Sequence, residues 1–151
     1  MAIKIYLDIC CLKRPFDDQT QGRIHLESEA VLKIVARIDS GKYSLMGSEI
    51  LDLENARDPD LQRRDKVEKI LARAAVRIQL TDGSHKRGRE LAEKAFKPLD
   101  ALHISSAEQA EADVFISCDD HLLSNAKRNA DIIEMHILNP IEFIRNFDND
   151  Q

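Results

Sequence analysis

The chain has 151 residues, 43% hydrophobic and 32% charged, with a net charge of -5. That length fits one domain with a substantial core and excludes two comfortable ones, and the acidic balance excludes a wholesale, sequence-independent grip on nucleic acid. No apolar run approaches the roughly 20 residues needed to span a membrane, and the opening MAIKIYLD lacks a secretory signal's apolar stretch and cleavage site, so a cytoplasmic protein is expected.

Ile3 to Leu7 alternates and is β-branched and aromatic, which predicts a strand ending at Asp8. A polar loop is expected from Lys13 to Gly22, with Pro15 and the pair Asp17-Asp18. Ile24, Val31, Ile34, Val35 and Ile38 then form the stripe of an amphipathic helix over 23–40, closed by Gly41. Tyr43 to Met46 reads as a second strand, and Ser48 as the cap of a helix carrying Ile50, Leu51, Leu53 and Glu54.

Asp58-Pro59-Asp60 breaks that helix, and Leu61, Val67, Ile70 and Leu71 mark the next. Val76 to Leu80 alternates like a strand and is followed by the turn residues Asp82-Gly83-Ser84 and a polar helix over about 86–95. Pro98 opens a helix that runs to about Glu111. Val114 to Ser117 has the short apolar character of a central parallel strand. A helix over 119–129, a strand over 132–138 and a terminal helix from Asn139-Pro140 complete the chain. Strands alternating with helices predict an α/β sandwich around a mostly parallel sheet. Residues 1–147 form one domain in this reading, and 148–151 a short polar tail.

Ligands of such sheets bind at the carboxyl ends of the strands. Asp8 stands directly after IKIYL and Asp119 after VFISC, although strand-end aspartates also serve as turn formers and helix caps. Asp100 falls in the first turn of a helix, where the dipole alone favours a carboxylate. Glu54, taken singly, is an ordinary helix residue. Brought together, four carboxylates repel and raise one another's pKa, and a hard cation such as Mg²⁺ or Mn²⁺ removes that penalty.

The ordered segments Ile5-Tyr6-Leu7-Asp8, Ser48 to Glu54, Pro98-Leu99-Asp100-Ala101-Leu102-His103 and Ser117-Cys118-Asp119 resemble the PIN-domain family over about Ile3 to Phe147. The resemblance implies a Rossmann-like three-layer α/β/α fold and endonucleolytic cleavage of RNA dependent on Mg²⁺ or Mn²⁺. Asp8, Glu54, Asp100 and Asp119 would be the metal-binding acids and Ser117 a supporting hydroxyl. Hydrolysis would leave a 5′-phosphate and a 3′-hydroxyl. Many relatives are toxins of bacterial toxin–antitoxin pairs, which implies an antitoxin partner, and many form homodimers. The chain departs from the family in carrying Cys10 two residues after the first acid, where Asn, Ser or Thr is frequent. Glu49 and Asp120 are neighbouring acids that could replace Glu54 and Asp119.

Other readings fare less well. Cys10 occupies the place where a haloacid-dehalogenase-type phosphatase needs its second Asp, and there is no phosphate-loop motif, no receiver-type acidic pair after the first strand and no His-Asp dipeptide. His103 lies one turn from Asp100 and could share a metal with it, but its apolar neighbours favour a satisfied core histidine. Cys10, Cys11 and Cys118 form no disulfide framework, and the absence of Cys-x-x-Cys or paired His spacing argues against zinc. Lys13-Arg14, Arg63-Arg64, Lys86-Arg87 and Lys127-Arg128 matter for nucleic acid only if they converge on one site. A PIN fold kept as a non-catalytic RNA-binding or protein-interaction module is the alternative function.

Overall fold

The computed structural model describes residues 2–148. Five strands, β1 (Ile3–Leu7), β2 (Tyr43–Ser48), β3 (Val76–Ile78), β4 (Val114–Ile116) and β5 (His136–Leu138), form one sheet in the order β3-β2-β1-β4-β5. Every pairing is parallel. The helices between them are α1 (Ile9–Lys13), α2 (Gly22–Asp39), α3 (Glu49–Ala56), α4 (Leu61–Leu71), α5 (Asp82–Lys94), α6 (Pro98–Gln109), α7 (Asp120–Arg128) and α8 (Pro140–Phe147). The result is the expected three-layer α/β/α sandwich. Helix α2 packs on β2 and on α8, whereas α6 packs on β2 and on α5.

Because β1 is central, both of its faces are covered, and Tyr6 is as completely buried as Ile5 and Leu7. Its ring stacks on Phe115, its register partner on β4, with centroids 5.2 Å apart. Chain order reverses between β1 and β4, since β2 and β3 lie on one side of β1 and β4 and β5 on the other. The crevice beyond the carboxyl ends of these two strands is therefore the switch point where such sheets bind ligands.

Several boundaries differ from expectation for identifiable local reasons. The loop expected from Lys13 to Gly22 is partly helical: α1 runs to Lys13 and a 3₁₀ turn spans Arg14–Phe16, with Pro15 placed early in that turn where it needs no N–H donor. Asp82-Gly83-Ser84 opens α5, because Thr81 and Ser84 form a reciprocal capping box. β5 is shorter than expected, since Ala130–Ile132 forms a 3₁₀ turn. Gly41, at φ 84°, terminates α2, with its N–H on the Ile38 carbonyl and that of Lys42 on Arg37. Asp148, first residue of the expected tail, is buried; 149–151 lie outside the described residues. Among the described residues no helix is long and apolar enough to cross a membrane.

Candidate metal centre

Asp8 follows β1 and caps α1, with its Oδ1 accepting the Ile9 N–H at 2.9 Å. Its Oδ2 accepts the Ser117 hydroxyl from the end of β4 at 2.9 Å. The carboxylate is buried. Desolvation pushes its pKa up to about 7, with Cys10 acting in the same direction and His103, the Ser117 hydroxyl and the Ile9 N–H opposing. Ser117 also accepts the Asp119 N–H at 3.1 Å, so one hydroxyl ties the two strand-end acids together.

Asp119 caps α7, accepting the N–H groups of His121 and Leu122. Asp100, in the first turn of α6, is half-buried. Burial raises its pKa to about 6, and the charges of Asp8 and Asp119 add to the rise against His103 and Lys97. Glu54, near the end of α3, accepts from His103 Nε2 through its Oε1 at 2.8 Å. One ligand atom from each of Asp8, Glu54 and His103 falls within 4.8 Å of the others, whereas Asp100 and Asp119 stand outside that tight group. The Asp8 and Glu54 carboxylates thus form an acidic cluster at the switch point, with Asp100 and Asp119 in electrostatic reach.

A family model described as the PIN domain matches residues 19–128. The chain belongs to the PIN-domain family. The matched segment begins after β1, so Asp8 joins the other acids of this PIN domain through the sheet geometry. Among solved structures the chain is similar to FitAcB from Neisseria gonorrhoeae, at 15% identity over 90% of this chain and 97% of that one, with a TM-score of 0.58. It is also similar to VapBC2 from Rickettsia felis bound to a DNA fragment from their promoter, at 14% identity over 90% of this chain and 97% of that one, TM-score 0.55. A third is Mycobacterium tuberculosis VapC20, a Sarcin-Ricin loop cleaving toxin, at 14% identity over 80% of this chain and 93% of that one, TM-score 0.52. At such identities the likeness shows the fold alone. No curated protein sequence matches the chain.

In this PIN domain the two substitute acids are engaged elsewhere. Glu49 accepts the Leu80 N–H at 2.9 Å. Asp120 is gripped by both terminal nitrogens of Arg23, at 2.7 and 2.5 Å. The basic groups likewise have partners of their own: Arg63 and Lys13 share Asp58, Arg87 is held by Glu108 and Arg128 by Asn125.

His103 is a satisfied core histidine, 2% exposed, but its two partners belong to the site. Tyr6 Oη lies 2.7 Å from His103 Nδ1 and 2.7 Å from Ser48 Oγ, and Ser48 caps α3 by accepting the Leu51 N–H. One hydrogen-bond assignment satisfies the whole chain: Ser48 donates to Tyr6, Tyr6 to Nδ1, and Nε2–H to Glu54. Sequence spacing singled out Ser48 only as a helix cap and Tyr6 only as a strand residue. Their link to Glu54 runs through three non-adjacent elements and leaves no local signal.

Proposed function

We propose that the chain is an endoribonuclease dependent on Mg²⁺ or Mn²⁺, in which Asp8, Glu54, Asp100 and Asp119 hold the ion. The observation that carries this reading is a pair of acids kept near protonation at the switch point of the sheet, Asp8 by burial and Asp100 by burial and by the charges of Asp8 and Asp119. An all-oxygen, acidic donor set of this kind fits a hard divalent cation, which would offset that repulsion. Such an ion supplies Lewis acidity and a water of lowered pKa, the chemistry that phosphodiester hydrolysis needs.

The protein's own contribution is placement. Ser117 fixes Asp8 Oδ2, the Ile9 N–H fixes Oδ1, and the Ser48–Tyr6–His103 chain fixes the Glu54 carboxylate. Rigid orientation of acids before substrate arrives lowers the reorganisation left for the chemical step. The products under this reading carry a 5′-phosphate and a 3′-hydroxyl. The similarity to FitAcB and VapBC2, and to a toxin named for cleaving the Sarcin-Ricin loop, supports a toxin role; the reading includes a small antitoxin protein as partner, a homodimer and action in the cytoplasm.

Calorimetric titration of Mn²⁺ together with cleavage of a structured RNA tests the proposal. Saturable binding and cleavage by the wild type, both lost in Asp100→Asn, are expected. A folded wild type that neither binds Mn²⁺ nor cuts RNA would leave the non-catalytic module as the better reading.

A further inference from the structure

The second group of metal-ligating side chains lies on the other side of Cys10 from the acids. Cys10 and Cys11 occupy the first turn of α1, and Cys118 follows β4. The adjacent pair stands far from Cys118 in sequence, yet the parallel pairing of Leu7 with Ile116 carries all three to one end of the sheet. Their three Sγ atoms lie within 4.8 Å of one another, and Cys11 and Cys118 are 3.4 Å apart. All three are free thiols.

We propose that Cys10, Cys11 and Cys118 form a three-thiolate site for a thiophilic d¹⁰ cation of the Zn²⁺, Cd²⁺ or Cu⁺ class. Sulfurs sharing a tetrahedral ion at about 2.3 Å stand about 3.8 Å apart, a separation inside the range these three already span. A backbone donor is in place as well: the Cys118 N–H points at Cys10 Sγ at 3.2 Å, the kind of outer contact that bound thiolates take. Arg14, paired with Asp17 at 3.1 Å and Glu27 at 3.0 Å, also acts electrostatically on Cys118. Cys11 and Cys118 are buried and Cys10 is half-buried, which makes Cys10 the point of entry.

Soft sulfur ligands select against Mg²⁺ and Mn²⁺, so this site and the carboxylates would sort ions by hardness. Cys10 is their common wall, with its sulfur 3.5 Å from both Asp8 Oδ2 and Ser117 Oγ. An ion on the sulfurs would set positive charge beside the first acid. Spacing rules for zinc miss the site because only the fold joins Cys118 to the Cys10-Cys11 pair.

The test is anaerobic titration of the reduced, full-length protein with Cd²⁺ in excess Mg²⁺, following thiolate-to-metal charge-transfer absorption in the ultraviolet. Carboxylates give no such band. We expect saturation near one equivalent, loss of the band in Cys118→Ser, binding weakened about tenfold or more in Cys10→Ser, and a full band in Asp100→Asn. Circular dichroism establishes that each variant is folded; should Cys118→Ser fail to fold, the half-buried Cys10→Ser decides. Absence of a band in folded wild type, or a band unchanged in the folded cysteine variants, overturns the proposal. So does a reduced protein that gives no band yet forms a Cys11–Cys118 disulfide with diamide, which would make the cluster a redox pair.

Discussion

Asp8 and Asp148 are both buried aspartates, and their surroundings are opposite. Around Asp8 and Asp100 burial outweighs the opposing influence of His103, and of Lys97 at Asp100, and drives both pKa values up, to about 7 and about 6. Burial also works to raise Asp148, but the Tyr43 hydroxyl, Lys42, Arg37 and Lys33 outweigh it and hold the carboxyl well below the usual range. Its Oδ1 accepts from Tyr43 at 2.6 Å and from Lys42 at 3.0 Å. A buried carboxylate given its cations by the protein ties α8 to α2 and β2. One whose neighbours do not outweigh burial is costly to the fold until something brings a cation from outside.

The comparison breaks most sharply under charge removal. Asp8→Asn and Asp100→Asn are each expected to reduce metal-dependent RNA cleavage by at least about a hundredfold, since an essential ligand charge is gone. Neither should lower the melting temperature of the metal-free protein. Cleavage assays beside thermal melts check both halves, and a variant that loses activity only by unfolding would refute the functional assignment.

Asp148→Asn should do the reverse. It strips the counter-charge from three cations and weakens a buried hydrogen bond, so a loss of about 1–3 kcal/mol in chemical denaturation is expected. Mn²⁺ binding should stay within about twofold of wild type, a difference small beside the loss expected from removing a metal ligand. Equal stability of variant and wild type would show that the four partners contribute nothing net.

The pH dependence of the metal-free protein sharpens the contrast. Asp8 and Asp100 have folded pKa values above their ordinary 3.8, so the unfolded chain releases protons that the fold retains. Stability should therefore rise as pH falls from about 7 towards about 4. Asp148 is shifted down, so its contribution is present above about 4 and fades below. Melting temperatures across pH 4 to 8 should show the rise, and Asp8→Asn or saturating Mn²⁺ should flatten it. A wild-type profile that is flat without metal would contradict the crowding.

The smallest expected effect belongs to Tyr6→Phe. It leaves Ser48 and His103 Nδ1 short of a buried partner, costing about 1–2 kcal/mol, while all four acids remain. Cleavage should drop about tenfold through looser placement of Glu54, with Mn²⁺ affinity less affected than turnover. Unchanged turnover would make the chain of hydrogen bonds purely structural.

The strands were legible in the alternation of IKIYL and the apolar VFIS, because the period of apolar residues reflects how a strand is buried. Asp8 and Asp119 were legible with it, since strand ends at a switch point are where such folds bind ligands. Glu54 and Asp100 were singled out by resemblance, and their proximity to Asp8 is a fact of the tertiary structure. The start of α5 at Asp82 was missed because the capping box of Thr81 and Ser84 overrides the turn-forming composition of Asp82-Gly83-Ser84. Asp148 looked like tail because its partners lie more than a hundred residues earlier.

By itself the sequence determined the alternation of strands and helices and the acids at two strand ends, all set by short-range periodicity and local backbone chemistry. Only the tertiary structure decided which polar groups meet. The strand order β3-β2-β1-β4-β5 brings Tyr6 to His103, Cys10 to Cys118 and Asp8 to Glu54, pairings whose strength depends on distance in space and on exclusion of water. Neither quantity is written along the chain.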